Sequence, residues 1–223
     1  MRRRLTCHHE AGHALVRWYF GHRTDRAVVQ TVEEVRNGVP ILTGHGDQIF
    51  CEALVDGYDI IGYPFGPLKV NGSQEEQTRI NRSRSIARDI ELMNCYAGFV
   101  AEAHYRRISP KVCMFAGGLR DLEQARTVLD AWQLSEMDEH ALRELSYDRA
   151  VALVRSRHGS AAIRAMADAL MERGEIDGVE IAALCRDAYG GRKCAFGAWS
   201  RHWPPTIGQL RAGYIPEPVP AAA

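Results

Sequence analysis

Nowhere in this chain do apolar residues run for the roughly 18 to 20 consecutive positions that a membrane-crossing helix requires. The basic start at Arg2, Arg3 and Arg4 is not followed by the apolar stretch of a secretory signal, so the expectation is a cytoplasmic protein with no membrane span. An excess of either charge is also lacking: Lys plus Arg and Asp plus Glu are 28 each, which argues against nucleic acid or an anionic membrane as the main partner. Arg79, Arg82, Arg84 and Arg88 crowd one segment, but no aromatic residues interleave with them, and they read as solvated helix surface. Six cysteines (Cys7, Cys51, Cys95, Cys113, Cys185 and Cys194) include no Cys-x-x-Cys pair, which excludes a structural zinc site or a disulfide framework of the usual spacing and leaves reduced thiols. No glycine-rich loop leads into Lys-Ser or Lys-Thr, and no internal repeat is evident.

What is present is a chain of 223 residues, 46% hydrophobic, long enough to bury one sizeable core. The pattern predicts an α+β fold, mostly α. A first helix runs from the arginines to about Phe20 and ends at Gly21. Short β-branched or apolar runs follow at 27–32, at 39–43 after the Asn37-Gly38 turn signal, and at 59–63, suggesting a small sheet of three or four strands. From Ser73 the sequence turns helical, with Ser73 and Glu76 placed as N-cap and third helical residue. Asp121 is placed to open a helix over 122–134, Ser135 one that runs to His158-Gly159, Ser160 one that ends at Gly174, and Asp177 the last clear one, to about Ala188. Residues 1–188 read as one domain, with 1–134 holding the site and 135–188 a helical bundle, and 189–223 as a poorly ordered Gly/Pro-rich tail.

The chemistry lies in His8-His9-Glu10-Ala11-Gly12-His13-Ala14. On a helix, residues four apart are rotated by only about 40°, so His9 and His13 project from one face and can share a metal ion. Glu10, one position past the first ligand, is placed as a general base rather than as a ligand. Ala11, Gly12 and Ala14 are small enough for another helix to approach closely. Cys7 falls on the wrong side of the helix for ligation and is read as packing. A catalytic zinc needs a third protein ligand, and spacing alone leaves Asp121, Glu102, His104, His45 and His140 open.

Three ordered blocks narrow that choice. They are the segment around His9 and His13, the segment Tyr96-Ala97-Gly98-Phe99-Val100-Ala101-Glu102 continuing to Gly117-Gly118-Leu119-Arg120-Asp121-Leu122-Glu123-Gln124-Ala125, and residues 165–184 with Gly174-Glu175-Ile176-Asp177-Gly178-Val179-Glu180. In order and approximate spacing they resemble the peptidase domain of FtsH-type ATP-dependent zinc proteases over about residues 5–186. The resemblance implies Zn2+ held by His9, His13 and Asp121, with Glu102 as an outer carboxylate that orients a ligating imidazole. Without that resemblance Asp121 reads equally well as a plain N-cap completed by Gln124. The chain departs from the family at Gly118, Leu119 and Arg120, where small polar residues are usual, and at Ala103, which replaces a second acid. It also carries no ATPase module.

The expected activity is zinc-dependent endopeptidase cleavage of peptides or unfolded protein segments, with Glu10 as general base. An exposed strand, at 39–43 or 59–63, would hold the substrate backbone by strand addition. The alternative is a catalytically restricted or inactive binding module that needs a partner ATPase. The resemblance carries over no oligomeric state, because the family's rings are held in part by the ATPase module.

Overall fold

Helix-tolerant arginines lead into α1 (Arg2–Tyr19), and the chain leaves it through Gly21, whose φ of +75° a side-chain-bearing residue adopts only at a steric cost. The computed structural model describes residues 2–57, 66–69, 71–115, 117–194, 196–199 and 201–217. Its architecture is α+β and mostly α, as the sequence predicts. Cys7, Ala11, Ala14, Leu15 and Val16 of α1 have no exposed surface, so this helix runs through the core rather than over it, and Cys7 packs as expected.

Three short strands lie across one side of α1: β1 (Arg26–Val29), β4 (Ala53–Asp56) and β5 (Glu175–Asp177). Their order is β4-β1-β5, both pairs antiparallel, with Ala27 opposite Val55 on one side and Ile176 on the other. The period-two pattern of a half-buried strand is visible in β1, where Ala27 and Val29 are buried and Arg26 and Val28 only partly so. A second ladder pairs β2 (Ile41–Leu42) with β3 (Gln48–Ile49).

The sheet differs from the sequence reading at several points. Val32 ends no strand. It opens α2 (Val32–Arg36), because Thr31 and Glu34 form a capping box that satisfies the first free N–H groups of a helix. Asn37-Gly38 closes that helix rather than turning a hairpin. The run at 39–43 contributes only the two residues of β2, outside the three-stranded sheet, and the run at 59–63 lies outside the described residues. β4 and β5 escaped notice because four and three residues are too few to show a period.

Helix α3 (Gln74–Arg106) is 33 residues long and starts as predicted, with the Ser73 hydroxyl accepting from the Glu76 N–H. After α4 (Pro110–Met114), α5 (Leu119–Asp130) begins two residues before Asp121, with Gly118 at its N-cap. Asp121 is therefore not a cap. It is the third residue of the first turn, leaving its carboxylate free to point elsewhere. Next come α6 (Glu136–Val154) and α7 (Arg157–Arg173), and the break between them falls earlier than expected. Ser156, not Ser160, caps α7, accepting from the Gly159 N–H at 2.9 Å. Asp177 caps α8 (Gly178–Ala188) as predicted.

The described residues after Gly191, up to 217, are not a loose tail. They form α9 (Phe196–Trp199) and α10 (Ile207–Ala212), and Trp199, with no exposed surface, packs against Tyr19 and Phe20 at the end of α1. The Trp199 indole N–H donates to the Tyr19 carbonyl at 2.9 Å, and Leu210 is fully buried. Aromatic residues among the prolines supply the apolar area that a disordered tail would lack. One apolar cluster runs from Cys7 through α3, α6 and α7 to Ile215, so the described parts of 1–134, 135–188 and the final segment share a core.

Truncating Trp199 removes a wholly buried indole. Trp199→Ala is expected to cost about 3–5 kcal/mol in urea denaturation, whereas Val179→Ala, at a site 77% exposed, should stay within about 0.5 kcal/mol.

Candidate metal centre

Glycine decides how closely α1 and α3 cross. A Cβ built on Gly12 would lie 2.5 Å from the Ala97 carbonyl oxygen and 2.9 Å from the Ala101 Cβ, so only glycine permits this separation. The same crossing lays the two imidazoles of α1 over Gly98 of α3, where a Cβ would lie 2.5 Å from both the His9 and the His13 Nε2. A side chain there would occupy the space onto which both ring nitrogens open.

Asp121 arrives from the far side. Gly118, whose Cβ would sit 2.8 Å from the Phe99 ring, lets the first turn of α5 press against α3. This places Asp121 Oδ2 3.0 Å from His9 Nε2 and Asp121 Oδ1 3.7 Å from His13 Nε2. One donor atom from each of the three side chains falls within 4.8 Å of the others. Ligands at 2.0–2.1 Å from a tetrahedral ion lie about 3.3 Å apart, which falls between the two measured separations.

The donor set fits a cation on two further observations. Asp121 Oδ2 is buried and has no hydrogen-bond partner, although His9 Nε2 is 3.0 Å away. A buried carboxylate oxygen facing a ring nitrogen calls for a positive charge in the same space, which a bound cation or a protonated His9 supplies. His13 Nδ1 is 2.9 Å from the Asn94 carbonyl oxygen; donation of its proton there leaves the Nε2 lone pair directed to the cleft, the tautomer a metal ligand needs.

Charge follows the same arrangement. Burial alone would depress the His9 pKa, but Asp121, Glu10 and Glu102 together outweigh it and push it up to about 9 in the metal-free protein. Burial raises Glu10 above the usual carboxylate range, with His9 and His13 opposing. For Asp121, burial acts upward but His13, His9 and Arg120 hold it below its ordinary value. A buried, raised carboxyl next to a low one is the separation that general acid–base chemistry uses.

These groups line a cleft of about 720 Å3 whose opposite wall is β4 and the residues before it. Among the described residues β4 is paired to β1 alone. Glu52 ties this wall to α1, accepting from Arg2 at 2.8 Å and from Thr6 at 3.0 Å.

His9, His13, Asp121 and Glu10 thus come together. Glu102 lines the same cleft, but its carboxylate accepts from Arg106 at 2.8 Å and lies 3.5 Å from the Cys113 thiol, and no hydrogen bond joins it to a ligating ring. The orienting group the sequence reading assigned to Glu102 is instead, for His13, the main chain of Asn94. His45 and His140 are exposed and outside the cleft, and His104 faces another cavity, 3.1 Å from the Ser160 hydroxyl. Asn94, Gly98 and Glu102 are spaced by four along α3, so the periodicity that pairs His9 with His13 also marks the facing stripe on α3. No protein-family model matches the chain, and no curated protein does.

Two outcomes test the site. Gly98→Ala should keep the helical circular dichroism yet lower bound divalent metal by at least tenfold, read by elemental analysis after dialysis against Zn2+. At pH 7 the metal-free His9 is protonated, its pKa standing above the pH, so metal uptake should release about one proton and weaken as the pH falls from 9. Calorimetry in buffers of different ionisation heat reads this, and no proton release would contradict it.

Proposed function

We propose that the chain is a zinc-dependent endopeptidase acting on peptides or unfolded segments. The observation that carries this reading is the convergence of His9, His13 and Asp121 beside the buried carboxyl of Glu10. The resemblance of the three sequence blocks to FtsH-type peptidase domains supports it independently, since that resemblance names the same three ligands. Two imidazoles and one carboxylate match the donor set of catalytic zinc sites that keep a position open.

A Zn2+ ion in this site would supply Lewis acidity, making water more acidic and polarising a carbonyl oxygen. The protein's own groups do the remainder. Glu10 takes a proton from the attacking water and passes it to the departing amide nitrogen. Its burial raises its proton affinity, which suits a group that must hold a proton between those two transfers. β4 is the described strand next to the proposed ligands and pairs on one side only among the described residues, so an extended substrate would pair with Ala53–Asp56. Pairing through the main chain selects extended backbone rather than particular side chains, in keeping with unfolded segments as substrate.

A second reading is a binding module that depends on a partner ATPase. It is favoured by the departures from the family pattern at Ala103, Gly118, Leu119 and Arg120, close to the proposed ligand Asp121.

Glu10→Gln separates the two. The variant should keep stoichiometric zinc and lose about 10²- to 10⁴-fold in cleavage of a permanently unfolded polypeptide, while Asp121→Asn should lose the metal itself. Stoichiometric zinc with no Glu10-dependent cleavage would overturn the peptidase reading in favour of the module.

A further inference from the structure

Behind α1, on the side away from the metal ligands, the C-terminal ends of α3 and α6 meet the start of α7 around a second cavity of about 770 Å3. Arg107, Arg155 and Arg164 line it with His104, Ser160 and His8, and no carboxylate lines it among the described residues. Such a concentration stands out in a chain whose charges balance. Several other arginines sit beside acids, as Arg2 does with Glu52, Arg88 with Asp89 and Arg106 with Glu102. Among the described residues none of the three guanidinium groups has an ion pair, and Asp168 pairs with Arg4 at 3.2 Å.

The remaining polar groups are fixed in place. His104 Nε2 lies 3.1 Å from the Ser160 hydroxyl, and burial, followed by Arg155 and Arg164, holds this histidine below its usual pKa. His8 is 5% exposed and stacks on Tyr105 at 3.9 Å. Its Nδ1 lies 2.9 Å from the Arg4 carbonyl oxygen, and donation there leaves Nε2 as the acceptor of this ring. Arg107 has a φ of 56°, a conformation that glycine would adopt without steric cost at this helix end, yet the position carries a guanidinium.

We propose that this cavity binds a phosphoryl group, carried by a small hydroxylated ester or present as the free ion. Guanidinium groups match phosphoryl oxygens in charge and in hydrogen-bond geometry, and the Ser160 hydroxyl adds a neutral donor. The His8 ring, which lines the same cavity, accepts through Nε2 from a ligand hydroxyl. A volume of this size holds a small metabolite, and an inorganic ion would fill only part of it.

Titration calorimetry of the full chain with glycerol 3-phosphate, inorganic phosphate and glycerol tests the assignment. Saturable binding of the two phosphoryl probes, none of glycerol, and at least tenfold weaker binding in the doubly substituted Arg155→Ala, Arg164→Ala protein are expected. Both positions are exposed, so the fold should persist, as circular dichroism will show. Tighter binding of glycerol 3-phosphate assigns the ester, and equal binding assigns the free ion. Arg120→Ala, which changes the metal-side cleft instead, should bind as the unsubstituted chain does. Absence of saturation, undiminished binding in the double variant, or an equal loss in Arg120→Ala overturns the proposal.

Discussion

Everything in this molecule depends on how closely α1 and α3 can approach. Glycine at 12 on one helix and at 98 on the other removes the two side chains that would hold the axes apart, and a shift of an ångström here would separate the imidazoles from the carboxylate that faces them. The apolar residues of both helices supply the energy that presses them together, whereas the glycines set the distance. Leucines and valines elsewhere in the core can be exchanged for others of similar volume, but no residue type replaces a missing Cβ.

That crossing also concentrates charge. Two imidazoles and the carboxyls of Glu10 and Asp121 occupy one buried region, and the metal-free protein compensates by holding a proton on His9 that the ring would otherwise lose near neutrality. Glu52 and Glu102 lie at the margins of the same cleft and are neutralised by Arg2 and Arg106. Acids at the rim are thus paired with arginines, and the two acids at the centre are left to imidazoles. Such a division keeps the central groups available to a cation and the outer ones out of competition for it.

Much of the site was legible in the sequence because it rests on local rules. Residues four apart on a helix share a face, which fixed the expectation for His9 and His13. Caps at Ser73, Ser135 and Asp177, and the glycine stops at 21 and 174, were read for the same reason. Asp121 was assigned its role through the likeness of separated blocks, and its local pattern pointed equally to a cap. Its true position in the first turn of α5 follows from Gly118 packing on Phe99, a contact between elements that no local pattern contains. The same limit explains β4 and β5, which are strands because β1 lies between them, and Ser156, which outcompetes Ser160 because Gly159 fits against the Leu153 carbonyl. Proline content misdirected the reading of the final segment, where Trp199 carries more weight than the residues around it.

The bond between the Trp199 indole and the Tyr19 carbonyl joins the last part of the chain to the end of the first helix. During synthesis the two histidines leave the ribosome long before Asp121, and Asp121 long before the indole that anchors their helix. A growing chain therefore presents the imidazole pair before Asp121 can face it. The three side chains that could share a cation come together only in the finished polypeptide.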